Sequence, residues 1–181
     1  MSRLSISREK GTLHFITLTT VEWIDIFTKP IYKQIIINSL KYCQKNKGLE
    51  IYAFVIMTNH LHLIVSSLLK NISISDILRD FKKFITKGII KELKNDNRKY
   101  ISQLLKYYGK KAKQEYQMWQ QGNYPEIIET EKFFLQKLEY IHNNSVKAEI
   151  VDKQEVYLYS SARNWILNDH SVIKVNTSVT N

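Results

Sequence analysis

The stretch FVIMTNHLHLIVSS, residues 54–67, decides how this chain is read. It holds the end of one strand-like run (50–57) and the whole of another (60–67), separated only by Thr58 and Asn59. A two-residue gap between runs rich in β-branched and aromatic residues is hairpin spacing. Side chains along a strand alternate between its faces, so His60, His62 and Ile64 point one way while Leu61, Leu63 and Val65 point the other. The leucine and valine face suits a core. Two imidazoles at i and i+2 can share a divalent metal ion, the remaining positions going to a third side chain, water and a substrate oxygen. The same pair also reads as two polar residues on an exposed sheet face, since His-x-His arises by chance in a chain with 5 histidines.

Working outward, TLHFITLTT (12–20) reads as a first strand, followed by a helix from about Pro30 to Asn46. Thr28 is its expected N-cap, Pro30 sits in its first turn and Gly48 supplies the stop. A second helix spans Ser73 to about Lys94, opened by a Ser73-x-x-Asp76 capping box. Ile74, Ile77, Leu78, Phe81, Phe84, Ile85 and Ile89 recur on one side at helical period, and Arg79, Lys82, Lys83, Lys87, Lys91 and Lys94 on the other. Residues 95–115 read as a polar, lysine-rich connection, 124–129 as a fourth strand, and Thr130 to Asn144 as a helix burying Phe134, Leu138 and Ile141. The order strand, helix, strand, strand, helix, strand, helix implies a ferredoxin-like (RRM-like) α+β fold, an antiparallel sheet with helices packed on one face and the other face open to a ligand. One domain over residues 1–165 with a frayed tail over 166–181 is expected.

The 181-residue chain carries 27 Lys and Arg against 17 Asp and Glu, a formal charge of +10 and a pI near 9.5. That balance favours polyanions, nucleic acid first and an anionic membrane surface second. Cys43 alone offers neither a disulfide framework nor a cysteine zinc cluster, and it reads as core filler. MSRLSISREK has no apolar signal core and the apolar runs elsewhere fall far short of a bilayer span, so a cytoplasmic, nucleoid-associated protein with no membrane partner is expected.

At this point the residues resemble a known family. NHLHLIV after a hairpin is similar to the His-hydrophobic-His motif of the HUH single-strand DNA endonucleases. FVIMTNHLHLIV, SDILRDFKKFITKGI, MWQQGNYPEII and FLQKLEYIHNNSVKAEIV followed by YLYSSARNW stand in the order seen in the REP-associated tyrosine transposases, relatives of the IS200-like transposases. The resemblance covers about residues 12–165. It departs where the family often has Asn-Pro-Val and Ala-Gly, against Asn144-Ser145-Val146 and Ala148-Glu149 here, and residues 95–115 look like an enlarged connection.

The resemblance implies a tyrosine nucleophile on a helix with a polar metal ligand four residues on. Tyr140 and Asn144 fit, and at i and i+4 they share a helix face. Tyr116 with Gln120 fits a variant of the same pattern, but it sits in a segment without an apolar stripe, and a packed helix holds a site more accurately than a loop. His60, His62 and Asn144 would hold Mg²⁺ or Mn²⁺, although two imidazoles would also suit Zn²⁺ by ligand preference. The implied reaction is transesterification on hairpin-bearing single-stranded DNA through a 5′-phosphotyrosine, by a monomer or a homodimer. Arg79, Lys82, Lys83, Lys87 and Lys91 read as a stripe that runs along phosphates or as a solvated helix face, and Trp119, Tyr124 and Trp165 as stacking platforms for unpaired bases or as core. Arg3, Arg8 and Arg163 would read a hairpin foot or a short guide sequence. His14, His142 and His170 read as structural or inert. Two other readings stay open: a ferredoxin-like module that binds a structured single strand without chemistry, and a metal-dependent nuclease in which water attacks.

Overall fold

The computed structural model describes residues 11–122 and 125–178. Its centre is the hairpin: β2 (Leu49–Ile56) and β3 (His60–Ser67) pair antiparallel, and the Met57 N–H closes the turn on His60 O at 2.8 Å. β1 (His14–Thr19) pairs along the other edge of β3, with Thr17 opposite His62 and Thr19 opposite His60. A two-residue β4 (Glu126–Ile127) adds to β1, giving one antiparallel sheet in the order β2-β3-β1-β4. This is the α+β arrangement expected from the order of elements.

Helices α1 (Pro30–Lys47) and α2 (Ile74–Asn95) cover one face, burying Ile36, Ile37, Leu40, Ile77, Phe81, Ile85 and Ile89 against Leu61, Leu63 and Val65. Gly48 ends α1 in the left-handed region (φ 65°), where a Cβ would sit 2.6 Å from Leu69 Cγ. The N-cap of α1 is Lys29 rather than Thr28, whose hydroxyl instead accepts from Arg98 Nη1 at 2.9 Å. Ser73 caps α2 as expected, accepting from the Asp76 N–H (3.1 Å) and donating to the Asp76 carboxylate (2.7 Å). Phe84 departs from the apolar stripe. It lies at the stripe's margin, 62% exposed, and stacks on Tyr42.

Three features differ from the sequence reading. Residues 95–115 contain α3 (Lys99–Lys111), which buries Ile101 and Leu105 against the first core. Gly109 lets the following chain fold back onto α3, because a Cβ there would sit 2.7 Å from Tyr116 Cα. The second sheet face is also covered: α4 (Glu131–His142) packs Phe134 and Ile141 onto Phe15, Tyr52, Ala53, Val55 and Ile64. The physical reason is visible in β2, a nearly unbroken apolar run whose two faces both need burial. The segment read as a frayed tail is tied down. After α6 (Ala162–Leu167), Ile173 and Val175 enter the first core, the Asn176 N–H bonds Ile51 O (2.8 Å), and Arg163 pairs with Asp169 at 2.6 Å. No helix among the described residues is long and apolar enough to cross a membrane.

Candidate active site

The site forms where the α4 face meets the His60–His62 end of β3. Along a strand, i and i+2 advance about 6.7 Å; along a helix, i and i+4 advance about 6 Å. The two periods match, so an antiparallel helix can set two side chains opposite two strand side chains at once. Asn144 Oδ1 lies 3.3 Å from His60 Nε2, and the Tyr140 hydroxyl 3.4 Å from His62 Nε2. Asn143 separates α4 from the short α5 (Asn144–Lys147), so Asn144 begins a new turn instead of ending the predicted helix. The chain leaves α5 through Glu149 in the left-handed region (φ 57°), the place where the resemblance would have put glycine.

A hydrogen bond settles which nitrogen of His60 is free. The Asn59 amide donates from Nδ2 to Asp25 Oδ1 (3.0 Å) and Trp23 O (3.3 Å), both acceptors, so its Oδ1 must accept from His60 Nδ1 at 2.7 Å. That leaves the lone pair of neutral His60 on Nε2, facing the Asn144 oxygen. His62 has a hydroxyl at each nitrogen, Tyr140 at Nε2 (3.4 Å) and Thr17 Oγ1 at Nδ1 (2.9 Å), and the tautomer with Nδ1–H donating to Thr17 leaves Nε2 as an acceptor. Phe15 stacks on the His62 ring (5.6 Å, 16°), fixing its plane. Burial holds both histidines neutral: it lowers His60, and with the nearby His60 and Lys137 it pushes His62 down to about 3.

His60 Nε2, His62 Nε2 and the Asn144 amide oxygen therefore converge, a donor set that fits a divalent cation once the Tyr140 phenol gives up His62 Nε2, with positions left for water or phosphate oxygens. No carboxylate joins it; among the described residues no group of three or more His, Cys, Asp or Glu is placed to hold a metal. Beside the phenol, a cavity of about 460 Å³ is lined by Phe15, Phe133, Lys137, Tyr140, Asn143 and Lys147. Lys147 sits 5.9 Å over the Tyr140 ring, and Lys137, 3.9 Å over Phe15, is paired with Glu126 at 3.1 Å.

The other expected residues distribute as follows. Arg79, Lys82, Lys83, Lys87 and Lys91 line one wall of a groove of about 1030 Å³, facing residues 114–122. Arg79 is paired with Asp76 (2.8 Å) and Asp80 (3.2 Å). Tyr116 lies on the opposite, non-helical wall with Lys94 6.0 Å over its ring, away from both histidines. Trp119 is buried and bonds Lys82 O through Nε1, and Trp165 is tied to Tyr52 O at 2.8 Å, so neither presents a face to a base. Arg163 is held by Asp169. His142 is buried against Ser161 Oγ (2.9 Å) and pushed down to about 4 by burial; His14 bonds Thr12 O, and His170 bonds Asn164 within the C-terminal segment. Arg3, Arg8 and Tyr124 lie outside the described residues. Sequence reasoning missed Thr17 and Asn59, which orient the histidines, and Trp23, 58% exposed beside His60. Asn59 was findable as the residue before the first histidine; Trp23 carries no pattern signal.

No curated protein matches the sequence. A solved structure of a REP-associated tyrosine transposase bound to a REP hairpin is similar over 95% of this chain and 89% of that one, with 19% identity and a TM-score of 0.65, a likeness of fold. The family model described as IS200-like transposase matches residues 7–144, the span that carries His60, His62, Tyr140 and Asn144. The chain belongs to the IS200-like transposase family.

Proposed function

We propose that this protein nicks and rejoins hairpin-bearing single-stranded DNA by transesterification, with Tyr140 as nucleophile. The observation that carries the reading is the convergence of His60 Nε2, His62 Nε2, Asn144 Oδ1 and the Tyr140 hydroxyl on one side of β3. A Mg²⁺ or Mn²⁺ ion held by His60, His62 and Asn144 would act as Lewis acid on the scissile phosphate. The Tyr140 oxygen forms its bond to phosphorus as the P–O3′ bond breaks; the phenol gives up one proton and the departing O3′ takes one up. The phosphodiester energy is retained in the 5′-phosphotyrosine, so a second 3′-OH can reverse the attack and join strands without ATP. Lys147, and Lys137 on release from Glu126, would neutralise phosphate next to the phenol. The groove wall of Lys82, Lys83, Lys87 and Lys91 supports a sequence-blind grip on the backbone. Hairpin DNA as substrate is supported by the family and by the REP hairpin held in the structurally similar transposase.

The test is incubation of labelled hairpin-flanked single strands from the protein's own locus with Mg²⁺ or Mn²⁺, run on a denaturing protein gel. The reading expects a labelled protein band that vanishes with Tyr140→Phe and persists with Tyr116→Phe. Cleavage with no labelled band would make water the attacking group, and DNA bound but intact under both metals would leave a binding module.

A further inference from the structure

Trp23 is the one tryptophan of three that the fold sets outward, and it is set there against backbone preference. Glu22 and Trp23 both occupy the left-handed region (φ 49° and 54°), two consecutive non-glycine residues at a cost of about 1–2 kcal/mol each. The surroundings hold them in place. The Val21 N–H bonds Met118 O (2.8 Å), the Trp23 N–H bonds Thr20 O (3.1 Å), the Ile24 N–H bonds Val21 O (3.2 Å), and Val21, Ile26 and Phe27 are buried on either side. The Trp23 carbonyl accepts from the Asn59 amide that also fixes His60. A chain that stores strain to expose a large apolar ring 6.1 Å from a metal-ligand candidate has placed that ring for a partner.

The order of the rings along the strand says which part of a substrate Trp23 meets. Trp23 adjoins His60 (ring centres 6.1 Å apart), His60 adjoins His62 (4.9 Å) and His62 adjoins Tyr140 (5.0 Å), so Trp23 borders the His60 side of the site and Tyr140 the His62 side. In-line displacement puts the leaving O3′ on the side of phosphorus away from the attacking oxygen. With Tyr140 attacking from the His62 end, the leaving oxygen points to the His60 end. We infer that Trp23 is a stacking platform for the base of the nucleotide immediately 5′ of the scissile phosphate, the one that departs with the new 3′-OH. This rests on the nicking reading above. Stacking there holds the 3′-OH in place after cleavage, which is what reversal and strand joining require, and it is sequence-tolerant because every base has a π-face.

The test is a cycle of two proteins and two substrates, wild type and Trp23→Ala, each on a hairpin-flanked strand with an intact or an abasic nucleotide 5′ of the break mapped with wild type. On the intact strand Trp23→Ala is expected to lower single-turnover cleavage at subsaturating protein by about 5- to 150-fold, with Trp23→Phe recovering most of it. On the abasic strand the two proteins are expected to cleave alike. Equal slowing of Trp23→Ala on both strands would make Trp23 a brace for His60 and overturn the inference, as would a coupling found only with the abasic site 3′ of the break. If wild type cleaves nothing, the nicking reading fails by itself, and affinity decides Trp23. A weaker grip by Trp23→Ala on base-bearing single strands but not on a fully abasic strand upholds stacking, and equal weakening or none refutes it.

Discussion

An imidazole ligates through whichever nitrogen its other hydrogen bond leaves free, so Thr17 and Asn59 would orient His62 and His60 toward the metal proposed for this site. Thr17 Oγ1 lies 2.9 Å from His62 Nδ1, and without that hydroxyl His62 loses the bond that orients its ring. Thr17→Val is therefore expected to weaken Mn²⁺ binding by about 10- to 100-fold with little change in fold, as read by calorimetric titration. Unchanged affinity would show that His62 needs no orienting partner. At this scale much was legible. Strand alternation put His60 and His62 on one face, the i, i+4 spacing put Tyr140 and Asn144 on another, and the near-equality of the two repeats brings the four together. Trp23 was not legible, because its exposure comes from a strained turn anchored by Met118 and Asn59, both distant in sequence.

Among elements, α2 shows how far periodicity carries. Its apolar and basic faces separate as the sequence implies, except for Phe84 at the margin. The basic face forms a wall of the large groove, with Lys83, Lys87 and Lys91 exposed on it. Replacing these three by Gln is expected to flatten the plot of log affinity for single-stranded DNA against log salt by about 0.7 for each phosphate no longer neutralised, about 2 in all. Fluorescence anisotropy over a KCl series measures this, and an unchanged slope would mean that the strand passes elsewhere. The groove's other wall depends on α3, which was not legible. Its stripe is only Ile101 and Leu105 within a lysine-rich stretch, and Gly109 reads as a helix breaker. In the structure that glycine is where residues 115 and 116 press against the helix. Gly109→Ala is expected to destabilise the protein by about 1–3 kcal/mol through overpacking against backbone that cannot yield, seen in denaturant unfolding. Equal or greater stability would mean the fold-back loop moves freely.

For the whole molecule, covering both sheet faces turns an open platform into a narrow site. The α4 helix takes most of the second face and leaves a cavity beside Tyr140 that Thr17 and Asn143 also line, with His62 buried next to it. The apolar continuity of β2 carried that information, while the period-two reading of β3 pointed to a face left open. The C-terminal segment is equally a tertiary matter: Ile173 and Val175 are too few to announce a packed strap, yet both are buried. The Asp169 carboxyl, bonded by Ser171 and paired with Arg163, is held down to about 2 against an ordinary 3.8. A carboxyl lowered in the folded state contributes stability that is full above the ordinary value and lost as pH falls toward the lowered one. Asp169→Asn is thus expected to reduce the loss of thermal stability between about pH 4 and pH 2, and an unaltered acid profile would show that the pair does not hold the strap. These layers converge on one phenol, so the decisive measurement is tryptic mass spectrometry of protein trapped with cleaved hairpin DNA. The account predicts a nucleotide 5′-phosphate on the peptide 138–147, through Tyr140. The modification on the peptide carrying Tyr116, or on no tyrosine at all, would contradict it.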